Sequence, residues 1–174
     1  ALPKEISLSF PVIVKPRDEG SGRGLDVGAI VSHHERLTQR VRWLFERCPA
    51  PMLIEEFIPY GELTVCVIGN DPALAYPAIQ RPLDGATRLS CHLVKPAPAR
   101  TECPLVLDEA LDAAARQLAL TMFQAIGCRD LARVDLRVDN AGQLYFLEIN
   151  PLPSCDPQGT MGLLAEYLGV TYAD

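Results

Sequence analysis

The sequence lacks any apolar run close to the roughly 20 residues that a membrane-spanning helix needs. Its start, Ala-Leu-Pro-Lys-Glu, has neither the basic region nor the long apolar run of a signal peptide. Positive charge is scarce as well, because 16 Lys and Arg residues face 22 Asp and Glu residues and leave a net charge of −6. An acidic surface repels nucleic acid and anionic lipid. We therefore expect a cytoplasmic protein that binds neither nucleic acid nor membranes.

Motifs for several common chemistries are missing too. The six cysteines include no Cys-x-x-Cys pair, and the three histidines have no metal-ligand spacing. Neither a Walker loop ending in Gly-Lys-Ser/Thr nor a Ser-His-Asp or Cys-His arrangement is evident. These absences disfavour zinc, disulfide and nucleophilic-side-chain chemistry, and we expect the cysteines to be free thiols.

The 174 residues, 48% of them hydrophobic, are enough for one sizeable domain or two small lobes. Short β-branched runs alternate with two amphipathic segments, which is typical of the α+β class. We predict a smaller lobe over about residues 10–79 and a larger lobe over about residues 80–174. The pattern predicts strands at 10–15, 29–31, 52–55 and 62–68, helices at 33–48, 108–126 and 161–168, and a long lid loop at 80–104.

Polar side chains at the end of the chain suggest a metal site. Asp135 precedes Glu148 by thirteen residues, and a turn at 139–142 would join their two strands as a hairpin. Together with Asn150, these side chains supply the hard oxygen donors that Mg²⁺ prefers, and so small a set leaves positions for water and phosphates. The alternative is a hairpin whose polar residues simply face water.

A glycine-rich segment follows the first predicted strand. Gly20, Gly22 and Gly24 leave room for backbone amides to approach a phosphate, and Ser21 adds a hydroxyl donor. Lys15, at the end of the strand, is placed to reach phosphate oxygens as a point charge. The pattern therefore suggests a phosphate-binding loop between antiparallel strands, although a plain turn is the alternative.

A third polar group borders the strand at 52–55. Glu55 and Glu56 precede Phe57 and Ile58, and Glu62 follows a short turn. A carboxylate and backbone groups can read a purine's amino edge, apolar side chains can form a wall, and another carboxylate can accept ribose hydroxyls. The alternative is a solvated strand end.

These segments together resemble the ATP-grasp superfamily, and within it the D-alanine:D-alanine ligases. The resemblance rests on four segments in family order: Pro-Val-Ile-Val-Lys-Pro with Glu19-Gly-Ser-Gly, Leu-Ile-Glu-Glu-Phe with Gly-Glu-Leu-Thr-Val, Arg-Val-Asp at 133–135, and Glu-Ile-Asn-Pro at 148–151. It extends over nearly the whole chain, from about residue 10 to residue 153. It implies two α+β lobes with antiparallel sheets that grip ATP.

The resemblance also implies roles for individual residues. Arg133, on the same strand face as Asp135, would stabilise negative charge at the reacting centre. One or two Mg²⁺ ions, or Mn²⁺, would bind the metal set of Asp135, Glu148 and Asn150. The implied reaction activates a small carboxylate as an acyl phosphate, which an amine then attacks. The nucleotide would be held by Lys15, Glu19, Gly20, Ser21, Gly22, Glu55, Glu56, Phe57, Ile58 and Glu62.

Three departures from the family pattern leave alternatives open. The lid segment at 86–95 differs from the family's, so Arg88 or Lys95 would have to replace its lysine, and Pro-Leu-Pro-Ser follows Asn150 where a glycine and then a serine are usual. We expect the N-terminal substrate domain to be absent, so that the chain is a fragment or another chain supplies that half. A nucleotide-binding regulatory module without turnover, or another acyl-phosphate enzyme such as a carboxylase, remains an alternative, and homo-oligomerisation is left open.

Overall fold

The computed structural model describes residues 6–20, 22–94 and 97–173. In chain order its elements are β1 (Val12–Pro16), a 3-10 turn (Val27–Ala29), β2 (Ile30–Val31), α1 (His34–Arg47), β3 (Met52–Glu56), β4 (Gly61–Ile68), β5 (Leu74–Ala75), β6 (Ile79–Gln80), β7 (Leu83–Asp84), a second 3-10 turn (Cys91–Leu93), β8 (Thr101–Glu102), α2 (Glu109–Ile126), β9 (Leu131–Val138), β10 (Leu144–Asn150) and α3 (Thr160–Leu168). The predicted α+β class and the three predicted helices are confirmed.

The chain divides into two compact units, one of residues 1–58 and 83–101 and one of residues 59–82 and 102–174. These bounds differ from the lobes predicted at about 10–79 and 80–174. β4 pairs along its whole length with β9, so it belongs with the C-terminal strands. Residues 83–101 belong instead with the first unit, and their short strand β7 pairs with β8 inside the stretch predicted as a structureless loop.

The first unit is built on an antiparallel sheet with the strand order β2-β1-β3. Alternate residues of β1 face α1, so that Val12 and Val14 pack against Leu37 and Leu44 of the helix. The alternation follows from the two-residue period of a strand. A smaller cluster formed by Phe57, Leu89 and Val94 includes Ile13, which comes from the opposite set of β1 positions.

The second unit is built on an antiparallel sheet with the order β10-β9-β4-β5, and β6 also pairs with β4. α2 packs against this sheet through Ala115, Ala119 and Phe123. The helix begins where Asp108 accepts a hydrogen bond from the backbone of Leu111 and ends at Gly127 in the left-handed conformation, as its sequence predicted. The sheet's core residues are Leu63, Val65, Val67, Ala132, Val134, Leu136 and Val138.

The six cysteines are free thiols, as predicted. Among the helices of the described ranges, none is long and apolar enough to cross a membrane.

Candidate functional site

The predicted metal residues lie together on one face of the second unit's sheet. Asp135 on β9 lies directly opposite Thr64 on β4 and opposite Glu148 on β10. The next row along the sheet places Arg133 opposite Asn150. Because directly opposed residues of paired strands share a face, strand pairing alone collects these side chains on the face opposite α2.

Asp135 is the centre of a hydrogen-bond network. Arg133 donates from Nη2 to Oδ2 at 2.7 Å and from Nε to Oδ1 at 3.0 Å. Thr64 donates from its hydroxyl to Oδ1 at 2.7 Å. The amide of Asn150 donates to Asp135 at 3.3 Å and to Glu148 at 3.0 Å. Both oxygens of Asp135 are therefore oriented by neighbouring side chains.

A β-bulge brings Glu148 and Asn150 to this face. The pairing of β10 with β9 shifts register between Phe146 and Glu148, so Leu147 has no partner of its own. Leu144 and Phe146 pack into the core from even-numbered positions, whereas after the shift the odd-numbered Ile149 does so. Without the bulge, strict alternation would put Glu148 on the core side with Phe146.

The charges of the cluster suit a divalent cation. Arg133 supplies one positive charge against the two carboxylates of Asp135 and Glu148, and Glu148 keeps 62% of its side-chain surface exposed. Burial of the Arg133 guanidinium opposes its charge, but hydrogen bonds and charge from Asp135 and then Glu148 raise its pKa above the ordinary value. The arginine is thus a fixed cation beside two hard anionic donors. Among the described residues, no group of three or more His, Cys, Asp or Glu side chains is placed to hold a metal ion.

Cys66 on β4 lies directly opposite Arg133, one row along the sheet from Thr64 and Asp135. Its thiol is 3.5 Å from the sulfur of Met161, at the start of α3. Burial raises the pKa of Cys66 to about 11. The thiol therefore stays protonated near neutral pH and acts as a small buried apolar group.

Glu62, the predicted ribose-binding residue, lies opposite Arg137 on the same face of the sheet. Arg137 Nη2 is 3.4 Å from Glu62 Oε2, and both side chains are largely buried. Arg137 was not among the site residues predicted from the sequence. Arg137 lies two residues beyond Asp135 on a predicted strand, and residues two apart share a strand face. This spacing could have indicated that Arg137 lies on the same face as the predicted metal ligand.

In the first unit, Lys15 and Glu55 form an ion pair between β1 and β3. Glu55 lies opposite Ile13, two residues before Lys15, so the pair is diagonal across the two strands. These two residues were predicted to have separate roles, toward phosphate and adenine, and their contact with each other was not predicted. Both side chains remain partly exposed and are accessible to a ligand.

The residues after Glu55 have different surroundings. Glu56 points to solvent and its carboxylate accepts a 2.7 Å hydrogen bond from the backbone of Ser9. Phe57 is buried, and its backbone N–H donates to the carbonyl of Pro11 at 2.9 Å. Ile58 is half-buried. Glu56 and Phe57, like Glu55, therefore have partners within the chain.

The glycine-rich loop follows β1. Glu19 interacts with Arg23 and with the Cys48 thiol, at 3.4 and 3.7 Å. Gly20 has open space around it, since a β-carbon there would have no atom within 4 Å. Gly22 has a φ of +71°, and a β-carbon there would collide with Leu93. Ser21 lies outside the described residues.

The chain is 33% identical over 171 residues to the uncharacterized protein y4sG of Sinorhizobium fredii, covering 95% of this chain and 50% of the relative. It is 33% identical over 175 residues to D-alanine–D-alanine ligase B of Chromobacterium violaceum, covering 98% of this chain and 54% of the relative. The chain thus spans about half the length of the curated relatives it matches.

Two solved structures share the fold. The VanG D-Ala:D-Ser ligase from Enterococcus faecalis matches with a TM-score of 0.74 at 20% identity, covering 96% of this chain and 48% of that one. The D-alanine–D-alanine ligase from Bacillus anthracis complexed with ATP matches with a TM-score of 0.65 at 24% identity, covering 94% of this chain and 47% of that one. The fold is therefore the ATP-grasp fold, as predicted. Residues 3–174 match the family described as the D-ala D-ala ligase C-terminus, and the chain belongs to that family.

Proposed function

We propose that this chain binds Mg·ATP and is the ATP-grasp portion of a ligase that joins a carboxylate to an amine. The observation that carries the proposal is the cluster of Arg133, Asp135, Glu148 and Asn150. Strand register and a bulge bring four polar side chains together, although regular alternation would have separated them. A group whose only function was to face water would not need the shared hydrogen bonds of Asp135.

Each part of the proposed site has a function that its chemistry supports. Asp135, Glu148 and the side-chain oxygen of Asn150 would hold one or two Mg²⁺ ions, or Mn²⁺. When bound, the metal offsets phosphate charge and holds the phosphates in position. Lys15 would contact phosphate oxygens, and Glu62 the ribose. The remaining nucleotide-binding residues of the proposal are Glu19, Gly20, Ser21, Gly22, Glu55, Glu56, Phe57 and Ile58.

Arg133 is the proposed catalytic residue of this chain. As the carboxylate substrate attacks the γ-phosphorus and ADP leaves, a fixed guanidinium stabilises the negative charge on the transferred phosphoryl group without reorganising. Asp135 holds this guanidinium through two of its nitrogens. The amine then attacks the acyl phosphate and releases phosphate. No nucleophilic side chain is required, which agrees with the protonated state of Cys66.

The names of the relatives suggest the substrates. Several are D-alanine–D-alanine ligases, and one structural neighbour is a D-Ala:D-Ser ligase. We therefore propose small amino acids as the carboxylate and amine substrates, with D-alanine as the first to test. The cytoplasmic location stays a prediction.

The proposal is tested by calorimetric titration of the whole natural protein with a non-hydrolysable ATP analogue, with and without MgCl₂. We expect binding that depends on Mg²⁺ and is weakened about tenfold by Glu148→Gln, about 1.4 kcal/mol. Glu166→Gln, which removes an exposed carboxylate from α3, is the matched control and should bind as the wild type does.

A second assay separates an enzyme from a regulatory module. Phosphate release is measured with Mg·ATP and D-alanine, and then with a panel of other small amino acids. We expect release that requires an amino acid and is matched by peptide formation. Nucleotide binding without release under any of these conditions would support the non-catalytic module, and absence of Mg²⁺-dependent nucleotide binding would overturn the proposal altogether.

A further inference from the structure

The glycine-rich loop, residues 17–25, of which the structure describes 17–20 and 22–25, is held at both ends. At its start the backbone N–H of Arg17 donates to the carbonyl of Pro51 at 2.8 Å. At its end Gly24 has a φ of +76° and lies so close to Pro16 that a β-carbon would come within 2.8 Å of the proline ring. At the tip, by contrast, Gly20 has open space around it. The loop's position therefore depends on its two ends, together with the close approach of Gly22 to Leu93 and the contact of Glu19 with the Cys48 thiol.

Arg40 of α1 fixes the second end. Its Nη2 donates to the carbonyl oxygen of Gly24 at 2.7 Å, and its Nη1 is 2.9 Å from Asp26. Asp26 in turn accepts a 2.8 Å hydrogen bond from the backbone of Gly28 and caps the following 3-10 turn. One guanidinium thus holds a carbonyl oxygen and a capping carboxylate in the same short stretch of chain.

The Arg40 side chain is held in turn by the helix. It is only 8% exposed, an uncommon degree of burial for an arginine. Its guanidinium carbon lies 4.6 Å from the centre of the Trp43 ring, on whose ring Arg47 also stacks at 4.1 Å. Stacking on an aromatic ring and planar hydrogen bonding both restrict an arginine to one geometry. Arg40 is therefore a rigid connection between α1 and the loop.

We infer that Arg40 is a positioning residue for the phosphate-binding loop, acting through Gly24 and Asp26 rather than by touching nucleotide. The inference rests on the proposed function, because it assigns the loop to nucleotide phosphates. With its end fixed, the loop presents its amides with less conformational entropy to lose on binding. Substitution of Arg40 would leave the residues of the loop unchanged but would remove the hydrogen bond that holds its second end at Gly24.

The test combines hydrogen exchange, read by mass spectrometry on the peptide covering residues 17–31, with nucleotide affinity in the whole natural protein. Arg40→Met keeps much of the apolar stem and removes every hydrogen bond to the loop. We expect amide exchange in this peptide to accelerate about tenfold and the affinity for Mg·ATP analogue to fall about tenfold, corresponding to about 1.4 kcal/mol each. Arg40→Lys keeps the charge and should restore part of both effects.

Two further variants separate the loop contacts of Arg40 from its stacking on Trp43. Arg47→Met removes the other arginine that stacks on Trp43. Arg47 donates its hydrogen bond to the Trp43 carbonyl and not to the loop. This variant should leave loop exchange and nucleotide affinity within twofold of wild type. Asp26→Asn weakens the same ion pair by changing Asp26 instead of Arg40. Its effect on loop exchange and nucleotide affinity should be smaller in the Arg40→Met protein than in the wild type, because the two residues act through one contact.

The inference is overturned if Arg40→Met leaves exchange of the loop peptide unchanged in the nucleotide-free protein. It is also overturned if exchange accelerates equally in α1 and α2, which would indicate a general loss of stability, or if Arg47→Met has the same effect as Arg40→Met. Amide hydrogen exchange of the loop peptide in the nucleotide-free protein can be measured whether or not the protein is a ligase. A loosened loop in a protein that binds no nucleotide would therefore refute the proposed function while leaving Arg40 as the loop's anchor.

Discussion

The hydroxyl of Thr64 donates a 2.7 Å hydrogen bond to Oδ1 of Asp135, from a directly opposed position on the neighbouring strand. Thr64 is 1% exposed, so this donor is fixed inside the sheet face. Groups that orient a metal-binding carboxylate contribute to metal affinity without touching the metal. Thr64 is therefore part of the proposed magnesium site, although it supplies no ligand.

Thr64→Val should weaken the response to Mg²⁺. Valine has the same shape but leaves Asp135 without one of its donors, so we expect the Mg²⁺ concentration for half-maximal activity to rise roughly tenfold. The free energy of unfolding should fall by about 1 kcal/mol, measured by chemical denaturation. Thr121→Val, which removes a hydroxyl bonded within α2, is the control. Equal Mg²⁺ dependence in both variants would contradict the role of Thr64.

Arg133→Lys should reduce turnover more than it reduces nucleotide affinity. Lysine keeps the positive charge but cannot donate two parallel hydrogen bonds to Asp135, so the cation loses its fixed position. We expect kcat to fall at least about tenfold, which is about 1.4 kcal/mol of transition-state stabilisation. Steady-state kinetics provides the measurement. The control is Arg116→Lys, at an arginine that bonds to the carbonyl of Ala75 away from the cluster, and a normal kcat in Arg133→Lys would remove Arg133 from the mechanism.

Two glycines of the loop should respond differently to alanine. Gly24 has a positive φ and its β-carbon would meet Pro16, so Gly24→Ala should destabilise the fold by about 1–3 kcal/mol. Gly20 has neither restriction, and Gly20→Ala should change the unfolding free energy by less than about 0.5 kcal/mol. Thermal unfolding of the pair compares them directly. Similar melting temperatures would show that the described geometry of the loop's end is wrong.

Asp84 gives a pH-dependent prediction. The Thr87 hydroxyl, 2.6 Å from Asp84 Oδ2, and then backbone N–H groups lower the pKa of Asp84 below its ordinary 3.8, although burial opposes them. A lowered pKa adds stability that is complete above about 3.8 and is lost as the pH falls through the folded-state value. Thr87→Val should therefore be less stable than wild type at pH 7, and the difference should shrink below about pH 4. Urea unfolding at pH 7, 5 and 3 measures this, and a difference that grows toward acid would have the wrong sign.

The sequence predicted the hairpin of β9 and β10, which carries the proposed metal ligands, because its evidence is local. The spacing from Asp135 to Glu148 and the turn between them fit two adjacent strands, and polar residues interrupt otherwise apolar runs. Thr64 was missed because it lies 71 residues from Asp135, and no local pattern fixes the register of strands so far apart. The predicted lobe bounds differ from the two compact units for the same reason, since the long pairing of β4 with β9 joins β4 to the C-terminal strands.

The glycine-rich loop shows a second limit of prediction from the sequence. Its glycines predicted a flexible turn with accessible amides, and Gly20 has that open space. The contact between Arg40 and Gly24 could not be predicted, because it depends on how α1 packs beside the loop rather than on helix periodicity. Arg40 also falls one position before the apolar Val41 and reads as a surface residue in the sequence. A buried arginine is recognised only when its partners are seen.

The bulge at Leu147 has a consequence for how β10 tolerates substitution. On its first half the even-numbered positions 144 and 146 face the core, whereas on its second half the odd-numbered position 149 does. In a saturation-mutagenesis scan of this strand, positions that tolerate polar substitution should therefore alternate with positions that do not. This alternation should reverse between even- and odd-numbered positions at residue 147. Adding one residue beside the bulge would reverse the facing of everything beyond it, so a single-codon insertion there should be more damaging than most single substitutions in the strand.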